Sequence, residues 1–133
     1  MRNYRRARFD VLFGTETVTL CGRGVIVGDP LRVSESLAVV TAWNPGVSRP
    51  GRVANERANA RLAEQLRSER RRWLPAVGRS ADGEHREPSF AVLGISAEEA
   101  RALAEQFGQA AAFHWDGRSG RLVWCRRKAV RQR

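Results

Sequence analysis

The amino-acid sequence predicts an α+β domain with two helices on one face of a mainly antiparallel sheet, and three observations carry that reading. Short runs rich in β-branched and aromatic residues, such as residues 37–43 (LAVVTAW) and 89–95 (SFAVLGI), end in turn signals. Two stretches switch to a helical period: Ala54, Ala58, Leu62 and Leu66 recur at intervals of four, and Ala100, Leu103, Ala104 and Phe107 at offsets of three, four and seven. From Leu37 onward the order is strand, helix, strand, strand, helix, strand, the order of a sheet with helices packed on one side.

Each element has its own reason. Residues 8–13 and 17–23 are β runs broken by Gly14-Thr15-Glu16, an added N-terminal hairpin; residues 25–27 prolong it or form a short strand closed by Gly28-Asp29-Pro30. Residues 37–43 form a strand buried on both faces, and Pro45 holds Asn44 out of helical geometry. A helix covers residue 53 to about 69, ended by Arg70-Arg71-Arg72, whose charge suits the negative end of its dipole. Residues 73–77 form a strand in which Pro75 calls for an edge position or a bulge, and residues 78–85 a polar turn. Ser96 and Glu99 have capping-box spacing, and Gly108 stands where the helix they open would end. Residues 110–115 and 121–125 are strands joined by DGRSG. The order fits a ferredoxin-like split βαβ core, βαββαβ, with the hairpin and a C-terminal strand added.

At 133 residues the chain has room for one core, read as a single domain over 1–125 with a basic tail at 126–133. No run approaches the roughly 18 apolar residues of a membrane span, and no apolar segment follows the basic start, so a cytoplasmic location is expected. The net charge of +10 is concentrated at the ends: four arginines in residues 1–8 and five basic residues in 126–133 leave +1 for the body. Cys21 and Cys125 are far apart and have no His or Cys at metal-ligand spacing, so two reduced thiols are expected, with no zinc and no cofactor. Walker, GxGxxG and HExxH sequences are absent.

At TAWNP (41–45), the helix bearing Asn55 and Asn59, VGRSADGEHREPSF (77–90), LGIS (93–96) and FGQAA (107–111), the chain resembles the bacterial domain-of-unknown-function family 3293. The similarity covers roughly residues 4–116. It implies a compact α+β domain and brings no activity, substrate or cofactor. One departure stands out: where the family tends to have an aromatic residue before the Glu of its Glu-x-Ser motif, this chain has His85 before Glu87-Pro88-Ser89.

A split βαβ arrangement leads us to expect Trp43, Asn44, Asn55, Asn59, Ser96 and Gln109 at one end of the sheet. As a pocket, their amides would present donors and acceptors to a small polar ligand such as a nucleotide, with Trp43 as a stacking face. The alternative is that the same amides tie loops together by bonding backbone groups. Glu87 is the one candidate catalytic base, with His85 two residues away, and is expected at the opposite end of the sheet from Asn44. A nucleic-acid reading uses Arg5, Arg6, Arg126, Arg127 and Lys128 to grip phosphate, with Trp43, Trp73 or Phe90 stacking on unpaired bases. Pattern alone gives no oligomeric state.

Overall fold

Alternation along β4 (Leu37–Val40) shows how the protein is layered. All four of its residues are buried: Ala38 and Val40 join one apolar cluster, Leu37 and Val39 another. Side chains alternate across a strand, so this strand carries core on both faces. The computed structural model describes residues 7–45, 49–80 and 84–126. Before β4 come β1 (Arg8–Phe13), β2 (Glu16–Cys21), β3 (Gly24–Val27) and a 3-10 turn (Pro30–Val33); after it come α1 (Arg52–Ser68), β5 (Trp73–Arg79), β6 (Arg86–Leu93), α2 (Ala97–Gln106), β7 (Ala111–Trp115) and β8 (Gly120–Trp124). The eight strands form one sheet in the order β3-β2-β1-β5-β6-β4-β7-β8, with every pairing antiparallel. The fold is therefore α+β.

Both helices cover one face. Leu62 and Leu66 of α1 and Ala100, Leu103 and Ala104 of α2 pack with Ala38, Val40, Val92 and Ala112. Leu62 and Leu66 are almost wholly buried, and each contributes about 1.5–3 kcal/mol. The other face is covered by the sheet itself, which curls until it is nearly a barrel. Phe9 of β1 stacks on Phe113 of β7 with ring centroids 4.2 Å apart, although β5, β6 and β4 stand between those strands in the sheet. Beside this stack the Gly120 N–H donates to the Gly22 carbonyl at 3.0 Å. A Cβ on Gly120 would lie 2.1 Å from the Phe113 ring, so only glycine lets the strand pass. The 3-10 turn adds Val33 to this core, and its carbonyl accepts from the indole N–H of Trp115 at 2.8 Å.

Most elements fall where pattern places them, and the differences have causes. β4 stops at Val40 rather than residue 43, because side chains take over its backbone bonding from Ala42 onward. β5 extends to Arg79 and β6 starts at Arg86, so the turn between them is shorter than expected. Pro75 belongs to a strand between two others, yet the ladder with β1 ends at Ala76. The proline therefore lies where β5 has a neighbour on one side only, and its missing N–H breaks no bond to β1. The capping box at Ser96 and Glu99 is present, with the Glu99 N–H donating to Ser96 Oγ at 3.1 Å and the Ser96 N–H donating to Glu99 Oε1 at 3.0 Å. No helix among the described residues is long and apolar enough to cross a membrane.

Candidate functional site

Backbone groups leaving a strand must find new partners, because a buried unpaired N–H costs about 1–3 kcal/mol. From Ala42 to Asn44 each successive N–H is met by a side chain. The Ala42 N–H donates to Asn59 Oδ1 at 2.8 Å, the Trp43 N–H to Thr41 Oγ1 at 3.0 Å and the Asn44 N–H to Asn55 Oδ1 at 2.8 Å. Asn55 also donates from Nδ2 to Asn44 Oδ1 at 2.8 Å, which closes a two-bond ring between the pair. Gln109 Nε2 donates to the Trp43 carbonyl at 3.2 Å. Thr41 Oγ1 and Asn59 Nδ2 both donate to the Pro88 carbonyl, at 2.7 and 3.0 Å, tying the turn to β6.

This network needs asparagine at two positions. Asn44 has φ of +46°, in the left-handed region that asparagine tolerates better than other residues with a side chain. Asn55 lies one turn into α1 and is only 3% exposed, so both ends of its amide must be satisfied within the protein. Helical spacing aims Asn55 and Asn59 at the same turn. Of the six residues expected together, Trp43, Asn44, Asn55, Asn59 and Gln109 do meet there. Their polar groups bond one another and the backbone, and Trp43 takes part through its main chain.

Ser96 does not join them, and Glu87 is not at the far end. Both placements follow from one register: β4 and β6 are antiparallel, with Leu37 opposite Leu93 and Val40 opposite Phe90. The end of β6, and Ser96 beyond it, therefore lies at the start of β4, while Glu87 and Pro88 lie at the Asn44 end. Glu87 is half-buried opposite Gly78, and its carbonyl accepts from Ser89 Oγ at 2.9 Å. His85 is exposed and closes the turn with Ser80, its N–H donating to Ser80 Oγ at 3.1 Å. Arg79, a conceivable partner for Glu87, instead holds Asp10 through two bonds at 2.8 and 2.9 Å.

Beside the turn, between α1 and α2, opens a groove of about 430 Å³. Ala42, Pro45, Ala58 and Phe107 form its apolar part, and Arg61, Gln65 and Gln106 its polar part. Gln65 Nε2 donates to Gln106 Oε1 at 2.7 Å, linking the two helices. Gly108 lets the turn come close, since a Cβ there would be 3.0 Å from Pro45 Cβ. Arg61 makes no ion pair among the described residues, whereas Arg52 and Arg67 on the same helix pair with Glu56 and Glu64. Reading the sequence missed Thr41 and this groove. Ala58, Arg61 and Gln65, at offsets of three and seven, do share a helix face beside the asparagine stripe, which was the available signal.

At the other end of the helices, Arg71 after α1 pairs with Glu99 of α2 at 3.1 Å. The Ser96 backbone N–H, and after it Arg71, hold the Glu99 carboxyl down at about 2. Trp73 and Phe90 pack edge-to-face with ring centroids 5.0 Å apart, both partly buried against the core. Cys21 and Cys125 are free thiols, both half-buried, and burial pushes the Cys125 thiol up. No group of three or more His, Cys, Asp or Glu among the described residues could hold a metal ion. Of the basic residues expected to grip phosphate, Arg5, Arg6, Arg127 and Lys128 lie outside the described residues; the Arg126 N–H donates to Glu105 Oε2 at 2.9 Å.

No curated protein and no solved structure matches the chain. A family model described as "Protein of unknown function (DUF3293)" matches residues 40–112, more than half of the chain. That span runs from the last residue of β4 into β7, and so holds the turn, both helices and the groove between them. The chain belongs to the DUF3293 family.

Proposed function

We propose that this domain binds a small anionic ligand of the nucleotide class in the groove between α1 and α2. One observation carries the reading: Arg61, with no carboxylate partner among the described residues, stands in a groove with two amides and the Phe107 side chain. The volume of about 430 Å³ lies within the range of small-molecule sites, and the lining sets four apolar residues beside three polar ones able to fix a ligand's orientation. Arg61 supplies a planar, permanently charged fork suited to phosphate or carboxylate. Gln65 and Gln106 supply donors and acceptors for a base or sugar edge, and Phe107 with Pro45 supplies apolar contact. Asn44, Asn55, Asn59 and Gln109 act one step back, holding the turn that places Ala42 and Pro45.

A ferredoxin-like split βαβ core goes with this proposal. Its support is that the four strands of the βαββαβ run lie side by side as second, third, first and fourth, all antiparallel. The helices then pack together on one face and leave the groove between them.

A thermal-shift panel of nucleoside mono-, di- and triphosphates and sugar phosphates tests the assignment. A ligand at 100 times its Kd stabilises by about 2.7 kcal/mol, several degrees in Tm. Arg61→Ala should abolish the shift without lowering the Tm of the unliganded chain. If no compound raises the Tm of the wild type above its effect on Arg61→Ala, the groove is not a site for this ligand class.

A further inference from the structure

Three of the five large hydrophobic side chains exposed among the described residues lie within six positions: Ile26 at 41%, Val27 at 58% and Leu31 at 79%. They belong to β3 and the turn after it. β3 is a terminal strand of the sheet, and it carries neither charge nor proline, the residues that usually discourage pairing at an edge. A bulge, marked by the register shift between Thr19 and Leu20, bends β3 at this point. Bulges often shield an edge, but here two consecutive apolar side chains remain exposed beside it.

Residues 23–29 read Arg-Gly-Val-Ile-Val-Gly-Asp. The apolar part is the same from either end, and the two ends carry opposite charge. Laid antiparallel on a second copy about Ile26, the segment sets Ile26 against Ile26, Val25 against Val27 and Gly24 against Gly28. Arg23 of each copy then meets Asp29 of the other. Arg23 makes no ion pair among the described residues. Asp29 uses Oδ1 to accept from the Leu31 N–H at 3.0 Å, and its other oxygen points to no bond among them. We propose that this edge is a self-association surface, at which two copies of the chain meet antiparallel along residues 23–29 about a two-fold axis. Such an interface is isologous, each patch meeting its own copy, and its charges admit one register. It is small, so the dimer is weak, with a Kd of about 10–100 µM.

Sedimentation velocity of the full chain from about 5 to 500 µM brackets that Kd and reads the association. The wild type should move from monomer to dimer over this range. Ile26→Lys should remain monomeric with an unchanged Tm. Arg23→Glu and Asp29→Lys should each weaken association more than tenfold, because like charges then face each other twice. An equimolar mixture of those two variants should associate as the wild type does, since both contacts between unlike chains are again opposite in charge. Asp29→Lys also removes the cap of the 3-10 turn, so circular dichroism accompanies it. If that variant is unfolded, the decision rests on Ile26→Lys and Arg23→Glu. A wild type that stays monomeric throughout, a dimer indifferent to Ile26→Lys, or folded charge variants that do not recover on mixing would each overturn the proposal.

Discussion

Replacing Asn55 by alanine removes the amide that closes the turn after β4. The lost groups make two hydrogen bonds of 2.8 Å to Asn44, one to its backbone N–H and one to its side-chain oxygen. At a site 3% exposed, water cannot readily take their place. Leaving the Asn44 N–H unmet costs about 1–3 kcal/mol, and the second bond adds about 0.5–1.5 kcal/mol. Alanine is the better helix former by about 0.5 kcal/mol, which offsets part of the loss. A net destabilisation of about 1–4 kcal/mol follows, a sizeable share of the roughly 5–15 kcal/mol by which single domains are stable. Urea unfolding at 25 °C followed by circular dichroism measures it, as a lower midpoint at unchanged slope. Arg57→Ala, at an exposed position of the same helix, should stay within about 0.5 kcal/mol and serves as the control. A double-mutant cycle with Asn44→Ala should show a coupling of about 1 kcal/mol. If Asn55→Ala also stays within about 0.5 kcal/mol of the wild type, the turn does not depend on this amide and the reasoning fails.

Further outcomes follow from the same structure. Asn44→Gly should be less damaging than Asn44→Ala by about 1 kcal/mol in the same unfolding assay, because both lose the bond from Asn55 while only alanine is strained at φ of +46°. Gly120→Ala should lower stability by about 1–3 kcal/mol, since its new Cβ would fall 2.1 Å from the buried Phe113 ring; a Tm equal to the wild type's would contradict the near-closure of the barrel. The Glu99 carboxyl titrates at about 2 rather than its ordinary 4.5, held down first by the Ser96 backbone N–H and then by Arg71. Its stabilisation is complete above pH 4.5 and is lost as pH falls toward 2, so Glu99→Gln should show a flatter loss of stability across that interval. Acid unfolding curves that run parallel for the two proteins would remove that role.

The sequence makes local order legible where local chemistry decides it. The capping box is visible because its partners are three residues apart, and α1 is visible because its apolar stripe repeats. The end of β4 is hidden for the opposite reason: Thr41, Ala42 and Trp43 continue a good strand pattern, while the groups that end the ladder come from Asn55 and Asn59 on the following helix. The convergence of Trp43, Asn44, Asn55, Asn59 and Gln109 is inferable from element order, since α1 starts and β7 begins at the end of β4. Placing Ser96 among them requires β6 to end there too, and the antiparallel pairing of Leu37 with Leu93 rules that out. The same pairing brings Glu87 to the Asn44 end. The groove leaves only a faint signal, the shared helix face of Ala58, Arg61 and Gln65, because Gln106 and Phe107 join them only when two helices are set side by side.

The central claim is that the groove beside this turn takes a small anionic ligand, and mapping of backbone amide shifts tests it most directly. Uniformly 15N-labelled chain is titrated with a nucleoside monophosphate, and the shifted resonances are assigned to positions. The account predicts saturable shifts at Ala42, Ala58, Arg61, Gln65, Gln106 and Phe107, and none of them in Arg61→Ala at the same ligand concentration. Shifts that never saturate, or that gather at the arginine-rich ends of the chain and leave these six residues unmoved, would contradict it.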